Sequence, residues 1–224
     1  MIQNKIPPTK FITPFLPYIP MAGLILYLFV FIYAVSGYPG GSYNHPDALG
    51  YSHFHNFLCD AMDLVTKNGM TNKFRSIAIT AHIILSISMI SFFYLLPMVF
   101  TSQNRNTKLI RYFGVSSMTV LIFMFTPYHD LMVTITGILG SVALVPLFIE
   151  LHKSNNKGLR QLAYLCFSFS LVVFFSYETK IGFYYLPFIQ KITFFLDAFF
   201  VFWSCNIILN KGKKKLQIVH KKIT

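Results

Sequence analysis

Charged side chains are scarce in this sequence. Asp, Glu, Lys and Arg make up only 12% of the 224 residues, whereas hydrophobic residues make up 54%. Soluble domains are typically about 25% charged, so this chain has too little charge to cover a water-exposed surface. The composition therefore excludes an ordinary soluble globular protein and indicates a membrane protein.

Cysteine is equally scarce, with three residues in the whole chain. Cys166 and Cys205 lie inside apolar stretches, and only Cys59 lies outside one. Neither a disulfide framework nor a zinc ribbon can be built from this set. The sequence also has no HExxH motif, which excludes that class of helical zinc site.

Six long apolar stretches account for most of the chain. Crossing the hydrocarbon core takes about 20 apolar residues in a helix, and a β-barrel would instead show shorter alternating segments. The sequence therefore predicts an all-α fold: a polytopic membrane bundle of six transmembrane helices in a single integral membrane domain over 1–224. The predicted spans are about 18–36, 75–100, 109–127, 130–151, 159–178 and 184–209, followed by a basic tail, 210–224.

Acidic residues are few, seven against 19 Lys and Arg, which gives a net charge of +12. The basic residues stand in short loops and in the tail, so they form no surface for nucleic acid. The positive-inside rule makes these segments cytoplasmic, with both termini inside, and predicts a location in an inner (plasma) membrane. The basic residues that set this orientation, apart from the lysines of the tail, are Lys5, Lys10, Arg105, Lys108, Arg111, Lys153, Lys157 and Arg160.

The first apolar stretch has an alternative interpretation as a cleaved signal peptide. Ala34-Val35-Ser36 loosely resembles a signal-peptidase site. The apolar run is long and several prolines precede it, which is unlike a signal peptide. Cleavage would leave five spans without changing the orientation of the others.

A long first loop, residues 37 to 74, is the exception to the short connections. The topology makes it extracytoplasmic. Within it, 51–67 is predicted to form a short amphipathic helix, because His53, Asn56, Asp60 and Asp63 share one helical arc and apolar residues occupy another. We expect this helix to lie on the membrane surface or to cover the mouth of the bundle.

Histidines and carboxylates concentrate on the same predicted outer side. Imidazole and carboxylate are the donors that zinc or a similar divalent ion takes, and such an ion activates water for hydrolysis. The candidate metal ligands are His53, His55, Asp60, His82, His129 and Asp130. The alternative is that the loop residues are merely solvated and that His82 bonds a nearby carbonyl as a neutral ring.

Two features inside the spans also allow two interpretations. Asp197, near the middle of span six, either serves a polar intramembrane site or makes a structural hydrogen bond. Gly137 and Ser141 in span four either mark a close helix contact or are incidental small residues.

The segment 50–60, Gly-Tyr-Ser-His-Phe-His-Asn-Phe-Leu-Cys-Asp, resembles a family signature. It is similar to that of DUF998, a family of six-span bacterial membrane proteins, and more remotely to the Frag1/DRAM/Sfk1 proteins. Asn56, Phe57, Leu58 and Asp60 match the family's Asn-Phe-Ile-Ser-Asp type motif, Cys59 replaces its usual Ser, and His129 corresponds to a later His. The resemblance implies an integral membrane protein, with lipid or lipid-anchor processing in the remoter relatives.

Three classes of function follow from these features. The leading hypothesis is an extracytoplasmic His/Asp pocket that handles membrane lipid or another amphiphile, with Asp60, His53 and His129 as catalytic candidates for metal-assisted hydrolysis or transfer. The second is a non-catalytic scaffold that docks another envelope membrane protein through its outer loop. The third is a small transporter that uses Asp197 and His82.

Overall fold

The computed structural model describes residues 15–223, without the side chains of 214–216 and 218–223. Lys5 and Lys10, the predicted cytoplasmic residues of the N-terminus, lie outside the described residues, as do the side chains of most tail lysines. The described chain is helical, and its extended contacts are limited to two isolated β-bridges in the first loop, Gly40–Leu49 and Val65–Thr71.

Six α-helices are present in the described part of the chain, and several of them begin or end in a 3₁₀ turn. The α-helices are α1 Tyr18–Ser36, α2 Arg75–Leu95, α3 Arg105–Leu121, α4 His129–Lys153, α5 Lys157–Thr179 and α6 Leu186–Ile223. The 3₁₀ turns are Leu96–Val99 after α2, Ile122–Phe125 after α3 and Phe183–Tyr185 before α6.

Each of the six helices is long and apolar enough to cross a membrane, which confirms the predicted six-span, multi-pass membrane protein. The largest shift in a start position is at α3, which begins four residues before the predicted 109. The reason is a capping box: Thr107 N donates to Asn104 Oδ1 at 3.1 Å, and Asn104 N donates to Thr107 Oγ1 at 2.9 Å. These bonds satisfy the amides of the first turn and extend the helix.

The helices run up and down through the bundle, so each end of the bundle has its own set of connections. We call the end that carries residues 37–74 the loop end and the opposite end the tail end. Helix α1 packs on α2, α2 on α3, α3 on α4, and α5 on α6. Small residues allow the close approaches: a Cβ at Gly114 of α3 would lie 2.2 Å from Cδ1 of Phe93 on α2.

Two clusters of buried apolar side chains divide the core. The larger occupies the tail half and includes Leu147 and Leu151 of α4, Leu159 of α5 and Val201 of α6. The smaller joins the loop-end halves of α1 and α2 to the first loop, where Ala61 and Met62 are buried. The bundle is therefore packed through all six helices near the tail end, but mainly through α1, α2 and the loop at the other end.

The predicted amphipathic helix over 51–67 is wrong. This stretch contains turns and one 3₁₀ helix, Cys59–Met62, after which Asp63 is extended. Two side chains take up the amides that a helix would use: Ser52 N donates to Asn56 Oδ1 at 2.9 Å, and Phe57 N donates to Asp60 Oδ2 at 2.9 Å. Asn and Asp compete with helices in this way.

Candidate functional site: a chamber under the first loop

Asn56 and Asp60 form the centre of the first loop. Both side chains are buried, with exposed fractions of 1% and 5%. Asn56 Nδ2 donates to Gly41 O at 2.7 Å and to Asp60 Oδ2 at 3.0 Å. The pair therefore connects residues 41, 52, 57 and 60. Asn56 and Asp60, the two polar residues of segment 50–60 that match the family motif, thus have a structural role.

The environment of this centre does not favour ionised groups. Burial raises the pKa of the Asp60 carboxyl, although the hydrogen bonds from Asn56 and Phe57 act in the opposite direction. Burial also raises the pKa of the Cys59 thiol to about 12, with the nearby Asp60 charge adding to the effect. The thiol consequently stays protonated near neutral pH, where it is a poor nucleophile.

Helix α6 holds the loop in place through two adjacent polar residues. Lys191 Nζ donates to Asn56 O at 2.5 Å and to Pro187 O at 3.0 Å. Leu58 N donates to Gln190 Oε1 at 3.1 Å. Since the bonded loop atoms belong to the main chain, residues 56 to 58 are held across the loop end of the bundle, where they form a roof.

The loop histidines lie apart from Asp60. His53 is exposed and packs edge-on against Tyr51, with ring centroids 5.3 Å apart. His55 packs against His45 at 4.4 Å and against Tyr184 at 5.2 Å. Neither ring hydrogen-bonds Asp60 among the described residues.

The two histidines of the spans occupy separate positions. His82 of α2 is buried, and its Nε2 lies 2.7 Å from Leu121 O at the point where α3 becomes a 3₁₀ helix. His129, the first residue of α4, has Nδ1 3.0 Å from Asp130 Oδ1, and the Asp130 side chain is 88% exposed. Among the side chains that the structure describes, no three of His, Cys, Asp or Glu come close enough to hold a metal ion.

Asp197 is half-buried in α6 and lies near the Cys166 thiol of α5. Cys166 belongs to the apolar cluster of the tail half. Asp197 therefore lies at the contact between α5 and α6 and does not line the chamber under the first loop. The two interpretations of Asp197 both stay predictions.

A chamber of about 490 Å³ lies under the roof, within the loop-end half of the bundle. Phe57, Leu58 and Cys59 cover it, and residues from all six helices surround it. Most of its lining is apolar. The polar side chains in the lining, besides Cys59, are Tyr27, His82, His129, Thr136, Ser170, Tyr177 and Gln190. His82 and His129 thus share one chamber, which Asp60 and His53 do not line.

The chamber is accessible between α4 and α5. Val133 of α4 and Phe174 of α5 line it, yet they are 40% and 63% exposed. The two helices meet closer to the tail end, where Phe148 packs on Tyr164 and Phe167 with ring centroids 5.4 and 5.1 Å apart. The helices therefore separate towards the loop end, and the gap faces the side of the bundle, where lipid would lie.

Gly137 lies on the chamber wall, and a Cβ at this position would meet no heavy atom within 4 Å. Ser141 donates to Gly137 O within the same helix. Of the two interpretations of this pair, Gly137 therefore fits an incidental small residue, and it leaves space in the chamber.

Gln190, Lys191 and Ser170 are functional candidates that the sequence reasoning missed. All three are polar residues inside predicted spans, and this was the available signal. An intramembrane polar residue needs a partner or a cavity. The first two bind the loop and Ser170 lines the chamber.

In comparisons with family models, curated proteins and solved structures, nothing matches this chain. The similarity to DUF998 at residues 50–60 accordingly stays a prediction.

Proposed function

We propose that this protein holds a membrane amphiphile in the chamber and exchanges it with the bilayer between α4 and α5. The observation that carries the proposal is an apolar-lined space of about 490 Å³ whose lining residues Val133 and Phe174 are also exposed at the side of the bundle. Binding sites for small molecules typically have volumes of about 300–1,000 Å³ and largely apolar walls.

The roof supports this proposal. Phe57 and Leu58 cover the chamber, while Asn56, Lys191 and Gln190 fix their main chain. A roof fixed in this way separates the chamber from the solvent at the loop end and leaves the lateral gap as the route of entry. An acyl chain can pass through such a gap without leaving an apolar environment.

The proposal is tested by filling the chamber. Gly137→Phe places a ring in open space, whereas Ile138→Phe, at a neighbouring residue that is 61% exposed and does not line the chamber, is the matched control. The protein in lipid nanodiscs is released into the gas phase and its retained lipids are counted by native mass spectrometry. We expect retained lipid in the wild type and the control and its loss in Gly137→Phe. Equal lipid retention in all three would overturn the proposal.

Orientation is part of the proposal. The helix ends at the tail end carry Arg105, Lys108, Lys153 and Lys157, which supports a cytoplasmic tail end and a roof on the opposite face. Leu49→Cys and Asn155→Cys, both at exposed positions, report the two faces. We expect an impermeant maleimide to label only Leu49→Cys in intact cells, and labelling of only Asn155→Cys would reverse the orientation.

A scaffold function is the second candidate, because the loop exposes apolar side chains outside the chamber. Leu49 is 87% exposed and Phe54 59%. Exposed apolar residues of this kind can dock another membrane protein. Leu49→Ser with Phe54→Ser would then abolish cross-linking to a partner in the membrane while leaving the retained lipid unchanged. Unchanged cross-linking would exclude this surface as the docking site.

A further inference from the structure

The chamber lining lacks the side chains that carry a full charge at neutral pH. Among the described residues that form it, none is Asp, Glu, Lys or Arg. The charged groups that bond the roof and the lining are engaged with the protein: Asp60 bonds Asn56 and Phe57, Lys191 bonds Asn56 O and Pro187 O, and Arg75 bonds Met62 O and Phe125 O. A phosphate or carboxylate inside would therefore be desolvated without a cation to compensate it, which is strongly unfavourable.

The contact between His82 and Leu121 determines which ring nitrogen of His82 donates and which one accepts. A carbonyl oxygen can only accept, so the contact with Leu121 O requires His82 Nε2 to carry the hydrogen. In the neutral ring, Nδ1 is then an acceptor. Nδ1 has no hydrogen-bond partner among the described residues. It is also not fully buried, because the fully buried side-chain nitrogen and oxygen atoms that lack a partner in the described part of the chain are His55 Nδ1 and Ser204 Oγ.

Gln190 has the complementary arrangement. Its Oε1 accepts from Leu58 N, which leaves the side-chain Nε2 as a donor, and Gln190 lines the chamber. The lining therefore provides an imidazole acceptor and an amide donor within an otherwise largely apolar space. A hydroxyl group satisfies both, because it donates one hydrogen bond and accepts others.

We propose that the chamber selects uncharged amphiphiles that carry a hydroxyl headgroup, such as fatty alcohols or acylglycerols, over phosphorylated or carboxylated ones. This inference rests on the proposed amphiphile-binding function and adds the class of ligand. The hydroxyl donates to His82 Nδ1, accepts from Gln190 Nε2, and leaves the acyl chain towards the gap between α4 and α5.

Three probes with the same 18-carbon chain test the inference: oleyl alcohol, methyl oleate and oleyl phosphate. Each is titrated into the protein in nanodiscs and its bound fraction is measured by native mass spectrometry. We expect the alcohol to bind at least about tenfold more tightly than the phosphate, and several-fold more tightly than the ester, which cannot donate. Equal or tighter binding of the phosphate would overturn the inference.

Variants assign the selectivity to the chamber. His82→Gln keeps one donor and one acceptor and is expected to keep the preference for alcohol over ester, whereas His82→Phe is expected to remove it. Val133→Lys places an ammonium at the exposed edge and is expected to raise oleyl phosphate binding about tenfold. The inference would be contradicted if neither the preference for alcohol over ester nor the preference for alcohol over phosphate changed across these variants. Val133→Lys tests the exclusion of phosphate even if His82→Phe does not fold.

Failure of the inference is distinguishable from failure of the proposed function. If Gly137→Phe abolishes binding of all three probes and the wild type binds them equally, the chamber holds amphiphiles but does not select among them. If Gly137→Phe leaves the binding of every probe unchanged, the chamber is not the site, and both proposals fail.

Discussion

The buried carboxylate of the tail half and the polar residues of the chamber differ in their hydrogen bonding. In the tail half, Glu150 is 4% exposed and its Oε1 accepts from Asn106 Nδ2 at 2.8 Å, Asn104 Nδ2 at 3.1 Å and Lys153 Nζ at 3.2 Å. These bonds join α4 to the start of α3. In the loop half, His82 and Gln190 each use one polar group within the protein, and the other has no protein partner among the described residues. Several donors thus converge on one acceptor near the tail end, whereas the polar groups of the chamber are only partly paired.

Apolar packing follows the same division. Helix α4 buries Ala143, Pro146, Leu147, Glu150 and Leu151, all in its tail-end half. Its first 14 residues, 129–142, include no buried side chain. Helix α4 therefore buries side chains only in its tail-end half, while its loop-end half lines the chamber with half-buried and exposed residues. Substitutions in the two halves should consequently differ in their effects.

Glu150→Ala should have the largest effect on stability. The change leaves the half-buried amide donors of Asn104 and Asn106 without this acceptor, which costs about 1–3 kcal/mol. Thermal unfolding in detergent measures the loss, with Glu178→Ala, at an exposed position, as the control. Equal melting temperatures for the two variants would show that the tail half does not depend on this group.

Gly114→Leu and Gly137→Leu should distinguish the close contact between α3 and α2 at Gly114 from the open space at Gly137. Both changes improve helix propensity by up to about 1 kcal/mol. At Gly114 the new side chain collides with Phe93, and overpacking of this kind costs about 1–3 kcal/mol. We expect a lower melting temperature for Gly114→Leu and an equal or higher one for Gly137→Leu. A marked destabilisation at Gly137 would mean that the chamber wall is closed.

Asn56→Ala should loosen the roof without unfolding the bundle. It removes the bonds to Gly41 O, Asp60 Oδ2 and Ser52 N, which lowers local stability by about 1–2 kcal/mol. Hydrogen exchange by mass spectrometry should show faster exchange in residues 37–74 and unchanged exchange in α2 and α3. Asn155→Ala, at an exposed tail-end position, is the control. Unchanged exchange in the loop would show that Asn56 does not stabilise the roof.

The smallest effect concerns pH. The pKa of Asp60 is raised in the folded protein above its ordinary value of 3.8, so folding favours the protonated carboxyl. The roof should therefore gain stability as pH falls towards that ordinary value and lose it as pH rises through the raised pKa. Hydrogen exchange of the loop, corrected for intrinsic rates, measures this between pH 7 and pH 5. Asp60→Asn should abolish the pH dependence, and persistence of the dependence would assign it to another group.

The spans were predictable because a 20-residue apolar run has few alternatives in a membrane. All six spans are confirmed, and their boundaries shift by a few residues except at the end of α6, which continues to Ile223, 14 residues past the predicted 209. The loop was not predictable from periodicity. His53, Asn56 and Asp60 satisfied a helical pattern, but the side chains of Asn56 and Asp60 bond the backbone and prevent the helix.

The chamber could be predicted only in part. His82 and His129 were identified as candidates because histidines and carboxylates concentrate on the predicted outer side, and both line the chamber. Their position relative to Asp60 depends on how the loop folds, which residue spacing does not encode. The space at Gly137 depends on the separation of α4 from α5, and a small residue in an apolar helix fits a close contact equally well.

Lys191 and Gln190 bond the main chain of the first loop rather than its side chains. The attachment of the loop is therefore independent of which side chains stand at positions 57 and 58, where Phe57 and Leu58 line the chamber. Substitutions at these two positions can change the shape of the chamber while both hydrogen bonds stay intact. The lining of this chamber can thus diversify by exchange of two side chains, without any new contact to hold the loop.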